Sequence, residues 1–253
     1  MRKKSHVTPR EVGARNRGSP RKNWPRLSGG SEHSPRCKAP VPDGVTTRLW
    51  KDIAGVLAPR LMHLFDRCLS RGEFPVLWKE ARMVLLPKPG RSPDSPFAYR
   101  PVCLLYRAGK LLERAVATRL ETHLSRNVLG LHDSQFGFRR GRSTADAVAR
   151  VRSLVEGAEQ RGYVALAVSL DVDNAYNSIP WDRICPALEI HRVPEYLRGV
   201  VRAFLWNRSI VYTVLGGGMT ERAVYRGVPQ GSVLGPLLWN IACFERRCLR
   251  TRR

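Results

Sequence analysis

Two carboxylates, Asp171 and Asp173, stand in the stretch "SLDVDNAYNSIPW" directly after an alternating apolar run. That run, "YVALAVSLD", sets Val164, Leu166, Val168 and Leu170 on one face and Ala165, Ala167, Ser169 and Asp171 on the other, which predicts a strand ending at Asp171. An acid at the carboxyl end of a buried strand needs its charge compensated, and a divalent metal ion is the commonest compensator. Capping of the short helix that begins near Asn174 would satisfy the same carboxylate, so this stretch alone leaves two readings of Asp171 open. Asp173 reads as a cap for "NAYNSI".

The elements that must position these residues are legible in part. Two helices broken at Pro59 are expected in "VTTRLWKDIAGVLAPRLMHLFDRCLSRGEFP", where Leu49, Ile53, Val56 and Leu57, then Leu61, Leu64, Phe65 and Leu69, recur at helical spacing. A strand follows from Arg82 to Leu86, then the Pro/Gly-rich loop "PKPGRSPDSPFAYRP". "LLERAVATRLETHL" reads as a helix with Leu112, Val116, Leu120 and Leu124 on one face. Another helix starts at Ser143, whose hydroxyl can cap it while Asp146 supports the first turn. Beyond Asp171 come a helix in "EYLRGVVRAFLW", a hairpin turning at Gly216 to Gly218, and a helix entered through "PQGSVLGPLLWNIACF".

Composition bounds the partners. The 253 residues carry 44 Lys and Arg against 21 Asp and Glu, a net charge of +23. Such an excess suits a chain that meets a polyanion, and nucleic acid leads over a merely solvated basic surface. No basic amphipathic helix with an aromatic face and no spanning apolar run points to a membrane. The six cysteines are scattered without a Cys-x-x-Cys pair, which suggests neither a zinc site nor a disulfide framework and fits a reduced, intracellular chain, nuclear or cytoplasmic and not secreted. From Met1 to Lys38, eleven basic residues face two acidic ones with hardly any apolar periodicity, which reads as a disordered basic tail.

Several blocks then resemble one family. "SLDVDNAYNSIPW" resembles the first palm motif of reverse transcriptases, an Asp followed four residues later by Ala and then an aromatic. "YRGVPQGSVLGPLLWNI" is similar to the second palm motif, with Pro229, Gln230, Gly231 and Ser232 at its centre. "KAPVPDG", "WKEARMVLLPKPG", "YRPVCLL" with "GKLLERAVATRL", and "SQFGFRRGRSTADAV" resemble, in order, the fingers blocks of non-LTR (LINE-type) retrotransposon polymerases. Asn177, where many relatives carry Asp, and the "NSIPW" around it look most like insect elements related to jockey and to those inserted in ribosomal RNA genes.

The resemblance implies an α/β (α+β) right-hand polymerase fold, fingers and partial palm with an antiparallel sheet. Its divisions would be a disordered basic tail over 1–37, fingers over 38–160, partial palm over 161–245 and a basic tail over 246–253. It implies an RNA-directed DNA polymerase acting on an RNA template, a DNA primer and deoxynucleoside triphosphates. Two Mg²⁺ ions would hold the reactants, with Asp171 as the catalytic acid bridging metals and the Val172 carbonyl as a further ligand. Tyr176 would sit under the incoming sugar and leave no room for a 2′-hydroxyl. Lys88 and Arg100 would lie on the triphosphate, Gln230 and Gly231 against the templating pair, and Arg139, Arg140 and Arg142 on the template backbone. Phe136 and Phe138 would either stack or pack.

Relatives supply further carboxylates as an aromatic-x-Asp-Asp turn. These 253 residues contain no Asp-Asp pair and no Asp after Asp182, and neither a thumb nor an upstream endonuclease domain is recognisable. One Asp cannot hold two Mg²⁺ ions in near-octahedral geometry, so a truncated polymerase, inactive as this chain, is expected. The alternative function is a non-enzymatic nucleic-acid-binding remnant held by charge.

Overall fold

The computed structural model describes residues 42, 44–172, 174–214 and 216–243. The expected tail segments 1–37 and 246–253, together with Asp173, lie outside them. In chain order the elements are α1 (Thr47–Asp52), α2 (Ala54–Arg71), β1 (Glu80–Pro87), β2 (Tyr99–Leu104), α3 (Arg107–Arg126), α4 (Thr144–Glu159), α5 (Ala175–Ser178), α6 (Trp181–Ile190), α7 (Glu195–Leu205), β3 (Arg208–Thr213), β4 (Met219–Val224) and α8 (Gly235–Cys243).

Apolar spacing accounts for the helices. In α7, Leu197, Val200, Val201, Phe204 and Leu205 fall on one stripe and all are buried. They meet Phe65 and Leu69 of α2, Leu112, Val116 and Leu120 of α3, Ile184 and Leu188 of α6, and Leu237, Leu238 and Ile241 of α8 in one cluster. Each such side chain contributes about 1.5–3 kcal/mol when fully buried. The cluster draws on both sides of residue 161, so the proposed fingers and palm share one core. Gly72 ends α2 in the left-handed conformation (φ 67°), and a Cβ there would lie 3.3 Å from the Gly199 backbone, so the end of α2 and α7 pack backbone to backbone where neither has a side chain.

The four strands form a sheet in the order β2-β1-β3-β4. β1–β2 and β3–β4 are antiparallel, the latter turning at Gly216 to Gly218 as expected, while β1 and β3 run parallel. The result is a mixed α and β fold consistent with reverse transcriptase fingers and palm. Among the described residues no helix is long and apolar enough to cross a membrane.

Two expectations are corrected. Pro59 does not break the first helical segment: it lies inside α2, and the break falls at Ile53. Proline there removes one bond to the Gly55 carbonyl, which is exposed and can be hydrated instead. The strand expected to end at Asp171 is not formed. Residues 163–172 carry no ladder, and every one is exposed, with Val164 at 97% and Leu170 at 88%. Alternation encodes two faces, but a strand also requires a neighbour for its N–H and C=O groups, and among the described residues none lies alongside.

Helix α4 likewise has no buried residue. It depends on local terms: Ser143 Oγ accepts from the Asp146 amide (3.2 Å) while the Asp146 carboxylate accepts from the Ser143 amide (2.7 Å), the capping box expected from sequence. The Ser143 hydroxyl and then its amide hold the Asp146 carboxyl below its ordinary range. Because that pKa is lowered in the folded state, the box supports α4 at neutral pH and is lost as pH falls through the lowered value. Protection of the first α4 amides, taken relative to intrinsic exchange at each pH, should therefore fall in acid, and Ser143→Ala should show the same loss of protection already at neutral pH.

Candidate active site

The two palm-like stretches are stitched together. The Gly227 amide donates to the Ile179 carbonyl (2.7 Å), the Val228 amide to the Tyr176 carbonyl (2.7 Å), and the Trp181 indole N–H to the Gly227 carbonyl (2.8 Å). Gly227 has φ 79°, and a Cβ built on it would lie 2.7 Å from the Asn177 Cα and carbonyl oxygen. Gly227→Ala should lower stability by about 2 kcal/mol or more, read as a fall in the urea midpoint.

Tyr176, half-buried on α5, rests at an angle on Trp239 of α8 (centroids 6.3 Å) and meets Phe138 edge to face (6.2 Å). Burial pushes its phenol pKa up, so the ring stays neutral. Phe138, from the "FGF" turn, is 68% exposed and has φ 52°. Gln135 and Asn240 fix this turn to α8: Gln135 Nε2 donates to Asn240 Oδ1 (2.8 Å), and Asn240 Nδ2 donates to the Gly137 carbonyl (2.9 Å).

The Gln230-Gly231 turn sits on the sheet edge. The Cys103 amide of β2 points outward and donates to the Gln230 carbonyl (2.8 Å). Gly231 has φ 115°, and a Cβ would stand 2.7 Å from the Cys103 carbonyl oxygen, so the close approach requires glycine. Three residues before Cys103 on β2 is exposed Arg100, paired with Leu86 of β1. The Lys88 amide prolongs the ladder to the Ala98 carbonyl (2.6 Å), and the pleat puts Lys88 on the face that Leu86 and Arg100 share. The two cations thus stand at one end of the β1–β2 hairpin.

The arginine cluster is partly occupied within the chain. Arg139 donates to the His132 carbonyl (2.8 Å), and Arg142 donates to the Asp133 carbonyl (3.1 Å) and carboxylate (3.2 Å) while lying 5.4 Å over the Phe136 ring. Phe136 therefore packs under a guanidinium. Arg140 is exposed, and with Arg139 and Phe138 it lines a cavity of about 310 Å³ against α3.

Asp171 and Val172 precede the α5 turn on exposed backbone. Among the described residues no three His, Cys, Asp or Glu side chains gather closely enough to hold a metal ion. The donors present, one carboxylate and one carbonyl, do not fit a pair of Mg²⁺ ions by themselves.

Sequence reasoning missed Glu113. This α3 carboxylate is 2% exposed, and one oxygen accepts from Ser232 Oγ (2.6 Å), the Val233 amide (2.6 Å) and the Leu234 amide (3.1 Å). Ser232 Oγ in turn accepts from the Gly235 amide (3.0 Å). A negative charge at the start of α8 satisfies unpaired N–H groups and complements the helix dipole. The available signal was an acid among Leu112, Ala115, Val116 and Ala117, where a solvated charge has no place. Buried Arg208 was missed too; burial works against its charge and Glu113 supports it.

Residues 86–245 match the family model described as reverse transcriptase (RNA-dependent DNA polymerase). The chain belongs to the reverse transcriptase family. It is similar to a probable RNA-directed DNA polymerase from transposon BS of Drosophila melanogaster, 32% identical over 216 residues, covering 85% of this chain and 23% of that protein. It is similar to the R1 retrotransposable-element Pol polyprotein of Bradysia coprophila, 32% identical over 214 residues (83% and 21%). It also resembles the RNA-directed DNA polymerase from mobile element jockey of Drosophila melanogaster, 31% identical over 208 residues (82% and 22%). This reverse transcriptase chain spans about a fifth to a quarter of the length of these relatives. The matched region takes in both stitched motifs, the β2 strand and the Glu113 clamp.

Proposed function

We propose that this reverse transcriptase chain carries the fingers (38–160) and the first part of the palm (161–245) of a non-LTR retrotransposon polymerase that adds deoxynucleotides to a DNA primer on an RNA template. The observation that carries the reading is the junction of the two palm motifs: Tyr176 and the Gln230-Gly231 turn are held in one assembly, with the cationic β1–β2 hairpin anchored to it through Cys103. An open backbone turn suits the nucleotide pair, a neutral ring suits the sugar, and Lys88 and Arg100 suit phosphates. Asp171 is proposed as one acid of the Mg²⁺ site, with the Val172 carbonyl beside it and the remaining carboxylates supplied from outside these residues. Arg139, Arg140 and Arg142 line the proposed template side.

The test joins residues 1–242 to the downstream palm of the jockey polymerase, which restores an Asp-Asp turn, and measures primer extension on RNA. Deoxynucleotide incorporation that requires Mg²⁺ is expected. A folded chimera that binds primer and template but incorporates nothing would contradict the assignment.

A further inference from the structure

We propose that a second nucleic-acid site, distinct from Tyr176 and the Gln230-Gly231 turn, lies in the groove between the start of α6, the α7–β3 turn and the end of β4, and that it takes unpaired bases of a single strand. The groove encloses about 590 Å³ and is lined by Trp181, Trp206, Arg208, Tyr225 and Arg226, with Asp182 as its one acid.

Two aromatic faces are presented there. Trp206 is 40% exposed and leans on buried Trp181 (centroids 5.2 Å, 44°), whose own N–H is engaged with Gly227. The outer indole is therefore braced and loses little freedom when a base stacks on it. Tyr225 is 80% exposed directly after β4, a large aromatic in water that packing within the chain does not explain.

Charge selects the partner. Arg226 is exposed at the rim, and Arg208 behind it is 3% exposed, with Nη1 donating to the Phe204 carbonyl (3.0 Å) and Nη2 lacking a partner among the described residues. The exposed Arg226 guanidinium beside the two aromatic faces favours a strand whose phosphates run next to its stacked bases.

The test measures binding of the 253-residue chain to labelled oligouridylate and to a blunt duplex of equal length. Tyr225→Ala, at a site too exposed to affect folding, and Trp206→Ala should each weaken single-strand binding about five- to a hundredfold and leave duplex binding unchanged. Oligouridylate carrying 5-bromouridine should quench tryptophan emission in the wild type and less in Trp206→Phe. Unchanged single-strand affinity in Tyr225→Ala, equal weakening toward duplex, or quenching by a proline-rich peptide but not by the oligonucleotide would each overturn the proposal. None of these readouts involves incorporation, so they stand apart from the polymerase reading and from Asp171.

Discussion

Asp171→Ala in the chain continued through a jockey-type palm is expected to lower deoxynucleotide incorporation by about 10³-fold or more, a barrier increase of about 4 kcal/mol. Binding of primer and template should change little. Asp171 is the acid that leads, three residues on, into the Asn174 turn and Tyr176, and no other described carboxylate occupies an equivalent place in the palm stretches. Its side chain is exposed and supports no core contact, so alanine there removes an acid without disturbing the fold. A variant that retained incorporation within about tenfold would remove Asp171 from the chemistry.

Glu113→Ala should lower unfolding stability by about 3 to 5 kcal/mol, which is a large part of what a domain this size possesses. The substitution leaves three donors at the α8 entrance without an acceptor, and it leaves buried Arg208 without the charge that supports it. Glu113→Gln retains an acceptor oxygen and loses only the charge, so about 1 to 3 kcal/mol is expected. Because Ser232 adjoins Gly231, both variants should also raise the KM for nucleotide in the continued chain before they change template affinity. Urea midpoints measure the first effect; a shift equivalent to less than about 1 kcal/mol in Glu113→Ala would show that water replaces the clamp.

The physical reach of each signal explains what the sequence disclosed. Helical stripes such as Leu197–Leu205 and the Gly216–Gly218 hairpin are local, and they folded as expected. The Ser143 capping box is equally local and formed as expected. The alternation from Val164 to Leu170 is also local, yet a strand needs a partner elsewhere in the molecule, and the described residues do not provide one. Glu113 and Ser232 are 119 positions apart, and Gly227 is forced by Asn177 fifty residues before it, so neither constraint can be seen within a window of sequence. In the proposed site, Tyr176, Gln230 and Gly231 are named from motif alone. What joins them, a set of backbone bonds and one buried acid, is tertiary.

Asp171 is proposed as one acid of a site whose other carboxylates lie outside these 253 residues. Primer extension on an RNA template, with deoxynucleotides and Mg²⁺, comparing the 253-residue chain with its Asp171→Ala variant, tests this directly. No incorporation by either, with both soluble and binding RNA in a salt-dependent way, is the predicted result. Incorporation by the wild-type chain that disappears in the variant would contradict it, because a second carboxylate would then be present among these residues.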